Sequence, residues 1–276
     1  MTFGKTGGKR VGKRTSVALT LASLLALAAG AEARVRSKQI VYEHAGQKLT
    51  GYLAWDDSHG DARRPGILIV HEWWGLNDYA KRRADQLAAE EGYVAFAADM
   101  YGSKVTDHPA EAGGWAKEVS SNVEAWRARA MAGLDVLKKQ ASVDPKRIAA
   151  IGYCFGGGTV VQLAYAGADL AGVVSFHGSL PLPGPGDAAR TKAAILVCHG
   201  DADGFVGADQ AHAFQKAMAD GGFDWMFVSY GGAKHGFTNA DAGKYGLDGL
   251  RYDAKADRRS WAQMRQFFLD VFAPKG

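Results

Sequence analysis

The sequence predicts an α/β protein, a doubly wound and mostly parallel sheet flanked by helices. Two observations carry that reading. Short β-branched apolar runs recur along the chain with little polar alternation, as strands covered on both faces do. Between them lie segments whose apolar residues return at helical spacing.

The runs at residues 40–43 and 49–55 read as an opening pair of strands with a turn at Ala45-Gly46. Residues 66–70 (GILIV), 94–98, 148–152, 172–176, 194–198 and 225–230 read as buried strands. Helical periodicity falls at 78–91, 122–140, 157–166, 207–219 and 254–272. The Pro/Gly-rich stretch 180–187 (LPLPGPGD) reads as a surface loop rather than a domain boundary, because the α/β pattern resumes on both sides.

The chain has 276 residues, is 47% hydrophobic and 22% charged, and carries a formal charge of +4. Five of its 33 basic residues and one of its 29 acidic residues fall within positions 1–33, so the remainder has no formal net charge. An extended basic footprint for nucleic acid is therefore not supported. The excess sits in a leader: Lys5, Lys9, Arg10, Lys13 and Arg14, then the apolar run 17–29, then Ala31-Glu32-Ala33. That is the anatomy of a secretory signal peptide. The run is 13 residues long, short of the roughly 20 needed to span a bilayer. The expectation is a signal peptide over 1–33 and a single domain over 34–276, exported to the periplasm or beyond, monomeric and free of the membrane once the leader is cleaved.

The most informative stretch runs from Ile151 through Gly152, Tyr153, Cys154 and Phe155 to Gly156 and Gly157. An apolar strand entering Gly-x-Cys-x-Gly-Gly and then a helix matches a nucleophile elbow with Cys in place of Ser. A helix N-terminus beneath the thiol favours the thiolate. The alternative is a structural Cys before a phosphate-binding turn, but no Lys-Ser/Thr or Gly-x-Gly-x-x-Gly pattern follows. In such a fold the order along the chain is nucleophile, acid, His. Downstream, one strand ends in His199-Gly200-Asp201-Ala202-Asp203 and the next leads to His235. Both lie at carboxyl ends of strands, where doubly wound sheets carry their sites.

With these residues in view, the chain resembles the dienelactone hydrolase (carboxymethylenebutenolidase) family of the α/β-hydrolase fold. The motifs that carry the resemblance are GYCFGG at 152–157, HEWWGLN at 71–77, ADMYG at 98–102, DGFV at 203–206 and HGF at 235–237. The resemblance implies Cys154 as nucleophile, His235 as base and Asp203 as orienting acid, with Asp201 a competing acid placed two residues earlier. It marks Glu72 as the carboxylate that meets the resting thiol and helps generate the thiolate when substrate binds. It assigns the oxyanion to the backbone N–H groups of Trp73 and Phe155. Cys198, His71 and His177 read as packed residues, and both thiols are expected free. No metal-ligand spacing is present in the sequence, and no cofactor is expected.

The match departs from the family at two positions where better-known members hold the substrate carboxylate with arginines. Here Ser103, followed by Lys104, and Asn239 stand instead, and neither supplies a bidentate cation. Trp73, Trp74, Tyr101 and Phe237 suggest an aromatic pocket for a less acidic substrate, with Ser103 and Asn239 in its lining. The reading is a hydrolase of small ester or lactone molecules working through an acyl-thioester. Its rival is a non-catalytic exported binding protein, or a redox thiol, on the same scaffold.

Overall fold

The computed structural model describes residues 34–60 and 62–274, with Gly4 and Gly8. The proposed leader lies outside the described residues apart from those two glycines. Eight strands form one sheet in the order β1-β2-β4-β3-β5-β6-β7-β8. They are β1 (Val35–His44), β2 (Gln47–Asp56), β3 (Arg64–Val70), β4 (Val94–Ala98), β5 (Val143–Tyr153), β6 (Gly172–Phe176), β7 (Ala194–Gly200) and β8 (Trp225–Tyr230). The helices are α1 (Asp78–Glu91), α2 (Pro109–Ser120), α3 (Val123–Lys138), α4 (Phe155–Tyr165), α5 (Asp187–Arg190), α6 (Ala208–Asp220) and α7 (Ala254–Val271).

The hairpin β1–β2 is antiparallel and turns at Ala45 and Gly46, both with positive φ, as a two-residue hairpin turn requires. β2 also runs antiparallel to β4, while every pair from β4 to β8 is parallel. The apolar runs of β3 to β7 are buried because both faces are covered, whereas the edge strand β8 leaves Met226 exposed. Leu68, Phe96 and Ala150 belong to the core on one face, with Leu134 of α3 and Val161 of α4. Ile67, Ile69 and Ile151 belong to the other, with Leu87 of α1 and Phe268 of α7.

Several boundaries differ from the sequence expectation. β5 begins at Val143 rather than residue 148, because Arg64 pairs with Val143 across a register shift even though residues 144–147 are polar. β7 continues to Gly200, two residues beyond its apolar run, through pairing of His199 and Gly200 with β8. α4 starts at Phe155, so two of the elbow glycines are already helical. α2 was not expected at all, since Gly113 and Gly114 interrupt its middle and glycine is a poor helix former. The stretch 180–187 is a loop whose last residue, Asp187, opens the short α5 and is buried against Arg127.

The chain reverses its direction of advance across the sheet at β3. From β3 it passes to β4 on one side, then returns to place β5 on the other. The carboxyl ends of β3 and β5 therefore flank a topological switch point, where open α/β sheets form their ligand crevice.

Candidate active site

At the end of β5 the chain turns sharply into α4, and Cys154 occupies the turn with φ 54° and ψ −115°. A non-glycine residue there is strained by about 1–3 kcal/mol. Two glycines make the turn possible. A Cβ on Gly152 would sit 1.9 Å from the Gly156 carbonyl oxygen, and one on Gly156 would sit 2.1 Å from that of Val70. The carbonyl of Cys154 accepts from the amides of Gly157, Gly158 and Ser179, while its own amide donates to Phe176. The turn is thus held from both sides, and the thiol remains partly exposed.

The loops after β7 and β8 bring Asp203 and His235 together. Asp203 Oδ2 lies 2.7 Å from His235 Nδ1, while Oδ1 accepts from the amides of Phe205 and Val206 at 2.8 and 3.0 Å. Burial raises the Asp203 carboxyl, but the His235 contact and those amides outweigh it, leaving the pKa below the ordinary value. For His235 burial lowers the pKa, and Cys154 and Asp203 together override it, raising it to about 10. Asp201 is exposed and its backbone amide is bonded to Tyr230, so the competition between the two acids for contact with His235 falls to Asp203.

Cys154 and His235 share the wall of one cavity of about 300 Å³. Its other walls come from Trp73, Trp126, Phe205 and Leu250, with Ala116 and Lys117 of α2 at its side. Trp126 is fixed by donation from Nε1 to Thr159 Oγ1 at 2.9 Å, and its ring stacks against Phe155 with centroids 5.7 Å apart. Among the described residues neither Trp73 nor Phe155 donates its backbone amide to another backbone group, and Phe155, as the first residue of α4, has no partner within the helix.

Glu72 follows β3 and is 4% exposed. Its Oε2 accepts from Asn239 Nδ2 at 2.7 Å. Burial pushes its pKa up to about 7, opposed by the Asn239 hydrogen bond and by the charges of His235, Arg83 and Lys244. Asn239 is therefore occupied with Glu72 and does not line the cavity. Three expected pocket residues are corrected in the same way. Trp74 stacks face to face on Tyr245 with centroids 3.7 Å apart, Tyr101 packs against His71 and Trp115, and Phe237 is wholly buried against His177 and Tyr230. Ser103 is an exposed turn residue with φ 65° whose amide donates to Asp99. Apolar residues beside a motif serve its packing as readily as its cavity, and here most of them do.

The walls missed in the sequence, Trp126, Phe205, Ala116 and Leu250, come from four separate segments. Only DGFV pointed to one of them. Both cysteines are free, and Cys198 is buried in β7, where burial raises its thiol to about 12. Among the described residues no group of three His, Cys, Asp or Glu side chains is arranged to hold a metal ion.

Sheet order, the strained turn after β5 and the loops after β7 and β8 define an α/β-hydrolase. Within that class, residues 49–272 match the model of the dienelactone hydrolase family, and the chain belongs to that family. Its members being ester and lactone hydrolases, the protein is an enzyme of that kind acting on small molecules. Protein usf of Aquifex pyrophilus is 32% identical over 73% of this chain and 87% of its own length. The dienelactone hydrolase-like promiscuous phosphotriesterase P91, from metagenomic libraries, is 38% identical, with a TM-score of 0.83 over 87% of this chain and 99% of its own. The Pyrococcus horikoshii acylaminoacyl peptidase, 16% identical with a TM-score of 0.66 over 85% of this chain and 41% of its own, shares the fold alone.

Proposed function

We propose that the protein is an exported hydrolase of small, uncharged esters or lactones, with Cys154 as nucleophile, His235 as base and Asp203 as its orienting acid. The observation that carries this reading is the 2.7 Å contact between Asp203 and His235 on a cavity wall shared with Cys154. The thiolate attacks the carbonyl carbon, and the carbonyl electron pair moves to oxygen, facing the amides of Trp73 and Phe155. Collapse expels the alcohol, which takes its proton from His235, and leaves a thioester on Cys154. Water, deprotonated by His235, then releases the acid and restores the thiol. Glu72, with a pKa near 7, is the group assigned to exchange a proton with the resting thiol, a step that requires a rearrangement because its Oε2 is held by Asn239 rather than by Cys154 in this structure.

The substrate preference rests on charge. Neither Ser103 nor Asn239 supplies a cation, the exposed Lys117 at the cavity's side offers a single point charge rather than a bidentate clamp, and Trp73, Trp126, Phe205 and Leu250 present aromatic and aliphatic surface. Neutral short-chain aryl esters are expected to show a higher kcat/KM than anionic lactones. Neutral phosphotriesters belong in the same panel, given the activity named for the 38% identical P91. The test is that panel run with wild type and Cys154→Ala, with burst kinetics before and after iodoacetamide. Thiol-dependent turnover with a burst supports the reading. Equal hydrolysis by Cys154→Ala removes it, and the absence of any turnover favours a binding protein.

A further inference from the structure

We infer that His71 is a positioning residue that aims the Trp73 amide, acting through the Glu72–Trp73 peptide. This rests on the proposed role of that amide as an oxyanion donor. His71 is fully buried at the end of β3 and has no place on the cavity wall. Its imidazole bridges two backbone groups. Nε2 faces the amide of Met100 at 3.2 Å, and Nδ1 lies 2.5 Å from the carbonyl oxygen of Glu72.

The tautomer follows from those partners. An amide can only donate, so Nε2 is the acceptor and carries no proton, and Nδ1 carries the proton it donates to Glu72. Burial, which lowers the pKa of His71, supports the neutral ring. The carbonyl of Glu72 and the N–H of Trp73 belong to one planar trans peptide and point in opposite directions. Fixing the carbonyl therefore fixes the direction of the N–H. Gly75 adds a second, longer anchor, its amide reaching the same oxygen at 3.3 Å.

The ring is itself held against rotation. Tyr101 meets it edge to face at 4.9 Å, and Phe155 stacks on it at 6.3 Å. Phe155 bears the other proposed donor, so one imidazole packs against the residue of the second amide while orienting the first. Met100 ties the arrangement to the loop after β4. Elsewhere among the described residues, the imidazole of the buried His177 bonds a side chain, Thr238 Oγ1 at 2.6 Å, and its Nδ1 has no partner. His71 differs in using both nitrogens on backbone.

The experiment compares His71→Asn and His71→Gln, with wild type and Cys154→Ala as references and folding verified by thermal unfolding. The Asn amide overlies Nδ1 and can still donate to Glu72, whereas the Gln amide reaches toward Nε2 and leaves the Glu72 carbonyl without that donor. Steady-state hydrolysis of a neutral aryl ester is measured beside the rate of alkylation of Cys154 by iodoacetamide, a displacement that forms no oxyanion. His71→Gln is expected to lower kcat about ten- to a hundred-fold with KM changed less than about two-fold and alkylation at the wild-type rate. His71→Asn should recover most of kcat. Unchanged kcat in His71→Gln, or parallel loss of kcat and alkylation in both variants, overturns the role of His71. Ester turnover that survives in Cys154→Ala instead overturns the underlying mechanism, so the two failures are distinguishable.

Discussion

Two buried carboxylates sit at carboxyl ends of the same sheet, Glu72 after β3 and Asp203 after β7, and their surroundings drive them in opposite directions. Asp203 is met by an imidazole and two backbone amides, and its pKa falls. Glu72 is met by one neutral amide side chain, and its pKa rises to about 7. Burial is common to both, so the number and charge of the donors decide which carboxyl is ionised at rest. One fold thereby keeps one carboxyl charged near neutrality and leaves a second able to change charge there.

The contrast breaks most severely at Asp203. Asp203→Asn is expected to reduce kcat by about 10⁴-fold, because the orientation and tautomer of His235 would no longer be set. Steady-state kinetics on a protein of unchanged fold would check this, and a loss below ten-fold would deny Asp203 the orienting role.

The stability of the two sites should depend on pH with opposite sign. The lowered pKa of Asp203 gives stability that is present above the ordinary value of 3.8 and lost as pH falls through the folded value. Glu72 has a raised pKa, so the folded state is favoured below 4.5 and that advantage is lost as pH rises through about 7. Glu72→Gln should therefore stabilise the protein at pH 8 by up to about 3 kcal/mol and do nothing at pH 4. Urea unfolding at the two pH values would measure it, and an equal effect at both would contradict the assignment.

A smaller effect is expected at Asn239. Its amide also accepts from Asp241 through Oδ1 at 2.9 Å, so Asn239→Ala removes two hydrogen bonds. A loss of about 1–3 kcal/mol is expected, seen as a lower Tm. Removing the donor raises the Glu72 pKa further, and the acid limb of kcat/KM should move to higher pH. An unmoved limb would separate Glu72 from thiol activation.

The two carboxylates were unequally legible in the sequence. Both were identified from their motifs, but nothing adjacent to Glu72 reveals Asn239 as its partner, 167 positions away. The parallel strands could be read from their apolar runs, though not the polar extensions of β5 and β7, and Gly152 and Gly156 could be read because the turn admits no side chain there. The cavity could not. Trp126 lies on α3, Phe205 in the loop before α6, and Leu250 after β8, and only the folded sheet brings them together. Trp74 and Phe237 misled for the complementary reason, since an aromatic side chain next to a motif can turn inward. α2 was hidden by its own glycines.

The most direct measurement is mass spectrometry of the protein quenched during turnover of an activated aryl ester. One acyl group on the peptide containing Cys154, removed on further incubation and absent from Cys154→Ala, is the expected result. Turnover with no adduct on that peptide, and undiminished in Cys154→Ala, would contradict a thioester mechanism.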